Sequence, residues 1–156
     1  MKRAALLAGS LLVIGCFSRF SPIPTPPGGT VAVGPDTAFT FYERAEAFYE
    51  RLIQRRFNAL ETFHDPVLRQ HFRSEERFFD YYAELAQGLA DAHFEKSRPT
   101  GFEVQEFVFE SPSRVLVQIR FRGEDNRPLR PDQTILIRRD RWELSDDAWW
   151  ISPGRL

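Results

Sequence analysis

Apolar positions recur with helical spacing in one stretch of the chain and with the period of a strand in the next. Phe41, Ala45, Phe48 and Leu52 fall at i, i+4, i+7 and i+11, widened by Tyr42, Tyr49 and Ile53. Glu43, Arg44, Glu46, Glu50, Arg51 and Arg55 take the opposite side. Such a stripe predicts an amphipathic helix, here running to about Leu60. Asp36 or Thr37 is its expected cap, and Thr40 with Glu43 offers a second capping box. Asp65-Pro66 reads as the N-cap and first-turn proline of a short helix through about Phe72. Ser74-Glu75-Glu76 caps a third helix, with Phe78, Tyr82, Leu85 and Leu89 as its inner stripe and an end near His93.

After Pro99-Thr100-Gly101 the period changes to two. Phe102 and Val104 alternate with Glu103 and Gln105, then Phe107 and Phe109 continue with the parity shifted by one. A bulge near Gln105-Glu106 accounts for the slip. Ser111-Pro112-Ser113 is a turn. Val115, Val117, Ile119 and Phe121 then alternate with Arg114, Leu116, Gln118, Arg120 and Arg122, the pattern of a strand with one dry and one wet face. A polar loop over 123–132 leads to a third strand over 134–144, whose inward side is assigned to Ile135 and Ile137. Ser145-Asp146-Asp147 turns the chain into a last strand, Ala148 to Ile151. Helices first, then a run of antiparallel strands, define an α+β layer fold, with N-terminal helices on a curved sheet of about four strands.

Upstream of residue 37 the composition changes. Lys2 and Arg3 precede an uncharged run, Ala4 to Ile14, too short to span a bilayer, which takes about 20 residues. That layout is a secretory signal. Ser18 to Pro35 carries five of the eleven prolines and three glycines, which predicts an extended tether. The expected organisation is therefore a signal peptide at 1–15, a tether at 16–36 and one folded domain at 37–153.

Two resemblances follow. Val13-Ile14-Gly15-Cys16 resembles the lipobox of bacterial lipoproteins. In that family Cys16 receives a diacylglyceryl group, cleavage before it frees an amine for a further palmitate-like acyl chain, and two or more chains anchor a protein stably. Cys16 is the only cysteine, so the domain crosses an oxidising compartment with nothing to mispair. The resemblance implies a periplasm-facing protein held at a membrane. Phe17, rather than Asp, after Cys16 favours the outer over the inner membrane if the source is Gram-negative. The second resemblance covers residues 38–152. Three helices, then a Phe/Val-rich meander closing on Trp142-Glu143-Leu144 and Trp149-Trp150-Ile151, resemble the nuclear transport factor two-like superfamily, a cystatin-like α+β cone. That family places a short strand between the second and third helices, and this chain has no sequence for one between His71 and Ser74.

Charge and composition narrow the functions. With 22 acids against 21 bases the chain lacks the basic footprint of a nucleic-acid binder. No Gly-rich phosphate loop is present, and neither cofactor nor metal is expected. His64 and His71 are seven apart with a proline between them, the wrong spacing for a shared metal. Enzymes of the cone superfamily use an Asp or Asp–His base with Tyr or His donors, which makes His64, Asp65, His71, Asp80, Tyr81, Tyr82, Asp91 and His93 the candidates. Local sequence explains each without chemistry: Asp65 as a cap, Asp80 as a surface acid, Tyr82 as core, His93 as a helix end. Tyr42, Tyr49 and Tyr82 are left as possible lining of an apolar cone mouth. Arg114, Arg120 and Arg122 form a possible patch for an anionic partner, set against pairing with acids such as Glu103. The favoured function is a lipid-anchored, non-catalytic binding or assembly module with a protein partner in the envelope. The alternative is a small isomerase- or dehydratase-like enzyme on the same cone.

Overall fold

The computed structural model describes residues 31, 33–130 and 132–154; the segments read from the sequence as signal peptide and tether, with Cys16, lie outside them through residue 30. Helix α1 spans Pro35–Ile53, followed by two single-turn helices, α2 at Leu60–Phe63 and α3 at Pro66–Arg69, and by the long α4 at Glu75–Asp91. Four strands follow: β1 (Gly101–Ser111), β2 (Arg114–Glu124), β3 (Gln133–Ser145) and β4 (Ala148–Ser152). They pair antiparallel in the order β1-β2-β3-β4 as one meander. The chain forms a single α+β domain, with the helices on one face of the sheet.

Helix α1 begins two residues earlier than residue 37, because Pro35 sits in its first turn and needs no N–H there. Gly34 caps it through its backbone, with Ala38 N–H donating to its carbonyl at 3.1 Å. Neither Asp36, Thr37 nor the Thr40 box is the cap; all lie inside the helix. The helix also ends at Ile53 rather than near Leu60. The chain turns there so that Phe57 drops into the core, its N–H donating to the carbonyl of Ser97 at 3.0 Å.

The other two expected caps are present. Asp65 Oδ1 accepts from the N–H groups of Val67 and Leu68, and Ser74 Oγ accepts from that of Arg77. The β1 register slips between Val104 and Glu106, where the bulge was expected, and again between Phe109 and Ser111. Asp146 and Asp147 both take positive φ, closing the β3–β4 hairpin as a two-residue turn. In β2, Gly123 is required by close approach, since a Cβ there would lie 2.5 Å from the Phe94 ring.

Val115, Val117, Ile119 and Phe121 are all buried, as their alternation requires. They face Trp142, Asp140, Arg138 and Leu136 of β3 respectively. Ile135 and Ile137 are therefore on the outer face, each 51% exposed, opposite the assignment made from the sequence. Ile135-Leu136-Ile137 is apolar on both parities, and register is decided further along, by burial of Trp142. Around Trp142 the core is aromatic. Phe41 and Phe48 meet its ring edge-on at 5.8 Å each, and Phe41 also meets Trp149 at 5.1 Å.

This parity yields a direct test. Leu136 packs against α4 at Gly88, so Leu136→Asp should cost several kcal/mol, about 2 or more, through an unpaired inward charge. Ile137→Asp, beside Arg120 on the wet face, should cost about 0.5 kcal/mol or less. Urea midpoints of the two variants check the order, and equal losses would return β3 to the opposite parity.

Candidate functional site

A polar cluster lies inside the domain, centred on Asp140. Asp140 projects inward from β3 and is 2% exposed. Its Oδ2 accepts hydrogen bonds from the hydroxyls of Tyr49 on α1 at 2.9 Å and Tyr81 on α4 at 3.0 Å. Its Oδ1 accepts from Nε of Arg138 at 2.7 Å, two residues away on the same face of β3. Trp142 Nε1 donates to the Tyr49 hydroxyl at 3.4 Å. The Arg138 guanidinium also lies over the Tyr81 ring, 4.3 Å from its centroid.

Electrostatics and geometry agree on the protonation state. Burial, and then the Asp140 carboxylate, raise both tyrosines well above the ordinary phenol range, so both stay protonated donors. Burial alone would lower Arg138, but the adjacent Asp140 outweighs it and the net shift is upward. The cluster is a closed set: a charged acceptor with one cation and two hydroxyls. The inward side of β3, assigned from the sequence to Ile135 and Ile137, thus carries a carboxylate and a guanidinium instead.

Of the tyrosines singled out from the sequence, Tyr49 is in this cluster, Tyr42 is at the surface, and Tyr82 is elsewhere. Tyr82 packs half-buried against Phe57 and Phe63. The inner stripe of α4 runs Phe78, Tyr81, Leu85, Leu89, so Tyr81 takes the position expected of Tyr82. Helical spacing allows both i+3 and i+4, and the bond from Tyr81 to Asp140 selects the former. Counting back by twos from Trp142 would have placed Asp140 and Arg138 inward, a signal masked by Ile135 and Ile137.

The other candidates do not converge. Asp80, Asp91, His64 and His93 are exposed. Asp65 is a cap, but a buried one, gripped by Arg51 at 3.0 Å and Arg55 at 2.5 Å. His71 is buried beside Phe48, with Nδ1–H donating to the carbonyl of Val67 at 2.9 Å. Burial, then the charge of Arg44, push its pKa down to about 4. Arg114 and Arg120 on the outer sheet face reach Glu143 at 3.9 Å and Glu103 at 3.4 Å, so two of the three expected patch residues are paired. Arg122 is exposed next to them. No group of three potential metal ligands occurs among the described residues.

One apolar cleft opens the domain between α1 and β1. It is lined by Phe41, Tyr42, Ala45 and Glu46 on the helix and by Phe102, Val104, Phe107 and Val117 on the sheet. Its cavity volume is about 30 Å³, room for about two water molecules. The rim, by contrast, is broad: Tyr42 is 48% exposed, Phe107 45% and Val104 37%. The cleft can therefore seat side chains laid across its rim, not a substrate held within.

Comparison with family models, curated proteins and solved structures finds no match to this chain. No helix among the described residues is long and apolar enough to cross a membrane.

Two stability predictions follow from the buried groups. Asp140→Asn leaves Arg138 with only the exposed Glu84, at 3.9 Å, as counter-charge and should cost about 3 kcal/mol in urea unfolding. Tyr49→Phe, which removes one of two hydroxyl donors, should cost about 1 kcal/mol. If both cost the same, the ion pair is not what the cluster depends on. His71 sets a pH dependence. Its native pKa of about 4 lies below the ordinary 6.5, so as pH falls the unfolded chain takes up the proton first. Stability is insensitive to this group above pH 6.5 and falls between 6.5 and 4, by roughly 3 kcal/mol. His71→Asn keeps a donor for Val67 and should flatten that slope. An equally steep fall in the variant would assign the loss to other groups.

Proposed function

We propose that this protein is a non-catalytic binding or assembly module, held at a bacterial membrane by a lipid on Cys16 and facing the periplasm. One observation carries the non-catalytic part. The buried carboxylate with two tyrosine donors has the ingredients of an acid–base site, yet Asp140 is 2% exposed and both its oxygens are occupied by Arg138, Tyr49 and Tyr81. A general base needs its substrate proton within about 3 Å. The cleft between α1 and β1 holds only about 30 Å³, and the open depression of about 510 Å³ beside Glu84 and Arg138 has neither Asp140 nor the two tyrosines in its lining.

The apolar rim at Tyr42, Val104 and Phe107 is the binding surface of this reading, with a protein of the envelope as partner. The anchor rests on Val13-Ile14-Gly15-Cys16 behind a short apolar run, and on Phe17, which favours the outer membrane. Helices followed by a four-stranded meander that ends in two buried tryptophans are consistent with a nuclear transport factor two-like cone. The departure at His71–Ser74 persists. That segment forms no strand, and the His71 carbonyl accepts one bond from Ile151 N–H of β4 at 2.9 Å.

The anchor is tested by metabolic labelling with a fatty acid. The parent chain should carry label and sediment with membranes, and Cys16→Ala should lose both; label retained on the variant overturns the anchor. The binding surface is tested by a photo-crosslinker placed at position 42 in intact cells, with position 91 on the far end of α4 as control. Defined adducts from 42 and none from 91 are expected. Equal adducts from both positions would remove the cleft as the contact.

A further inference from the structure

We propose that the free edge of β1 takes an extended segment of a partner protein as a fifth strand, one whose side chains alternate apolar and basic. The proposal rests on the binding-module reading and specifies its partner. β1 lies at the end of the sheet, paired with β2 on one side only. Among the described residues its other edge has no backbone partner. An eleven-residue edge with open N–H and C=O groups is a template for another strand.

The two faces of that edge differ. On the inner side Val104 and Phe107 stand exposed beside the cleft, facing Tyr42 on α1. Phe39, Tyr42 and Glu46 follow at i, i+3 and i+7 on one helix face, and Phe39 is exposed too. An added strand would lay alternate side chains over this apolar rim, which needs no deep cavity. On the outer side the charges of β1 are all negative. Glu103, Glu106 and Glu110 are its only charged residues, and all three are exposed. Glu103 and Glu110 are met within the sheet by Arg120 at 3.4 Å and Arg141 at 3.7 Å, so Glu106, with no ion pair among the described residues, is the acid left to a new neighbour. Glu46, at the cleft rim, adds a fourth acid.

Cross-strand neighbours of opposite charge stabilise a sheet and like charges oppose it. A second copy of β1 would set acids against acids, which argues against self-pairing. A partner with basic residues on its outer face and apolar ones inward meets both faces of the edge. The bulge between Val104 and Glu106 interrupts the ladder, so pairing is expected along the continuous stretch Glu106–Phe109.

The probe is a capped octapeptide alternating Val and Lys, added to the full-length chain and followed by fluorescence anisotropy and amide hydrogen exchange. It should bind and slow exchange in β1 around Glu106–Phe109. The Val/Glu counterpart should bind about tenfold more weakly or worse, and N-methylation of alternate peptide amides should remove binding. Glu106→Lys, at an exposed position, should weaken the Val/Lys peptide several-fold and leave the fold intact by circular dichroism. Undiminished binding of the N-methylated peptide overturns strand addition, as does protection on the outer face of β3 instead of β1. Protection, before any peptide is added, of the β1 amides that do not bond to β2 means the edge is already covered within the protein and overturns the proposal. Crosslinks from position 42 without peptide binding leave the binding-module reading standing and remove this one; absence of both removes both.

Discussion

A single buried carboxylate ties the layers of this domain together. Asp140 comes from β3, its tyrosine partners from α1 and α4, and its cation from β3 itself. A lone carboxylate in an apolar interior is prohibitively costly, and this one is tolerable only with every partner in place. Each helix must present its tyrosine at one rotation about its axis, and β3 must keep the parity that turns Arg138 and Asp140 inward. Apolar packing alone is far more permissive, because a Phe stripe can slide or rotate by a residue at modest cost. The polar cluster thus selects one arrangement from several that the hydrophobic pattern allows.

Around the cluster, the aromatic core supplies the bulk of the burial. Phe41, Phe48 and Trp142 interlock edge-to-face, and the same rings wall the cluster off from water. A second buried charge set lies close by, at the C-terminal end of α1. Arg51 and Arg55 reach Asp65, whose other oxygen caps α3. Helix α1 is thereby held near its C-terminal end by Asp140 and Asp65, while Tyr42 and Glu46 on its exposed flank line the cleft beside β1. The binding surface proposed above lies on that side of the domain, where large apolar side chains stand exposed along a strand edge paired on one side only.

Several features were legible in the sequence because their causes are local. The stripe of α1, that of α4 apart from its tyrosine, the caps at Asp65 and Ser74, the β1 bulge and the alternation of β2 each follow from neighbouring residues and a fixed period. Helices followed by an antiparallel meander could be read from the change of period at Gly101. The end of α1 was not legible, because its apolar stripe continues past Ile53 while the chain breaks away to bury Phe57.

What only the tertiary structure decided concerns pairs far apart in the chain. The bonds from Tyr49 and Tyr81 to Asp140 span 91 and 59 residues. No window along the sequence contains both ends, so Tyr82 appeared to be the core residue and Ile135 and Ile137 the inward face of β3. The sequence by itself determined which elements exist and in what order, since periodicity and capping act over a few residues. Three-dimensional packing decided which face each element turns inward. For β3 and α4 that choice depends on the burial of Trp142 and on where the Asp140 carboxylate finds its partners, which meet only once the chain has folded.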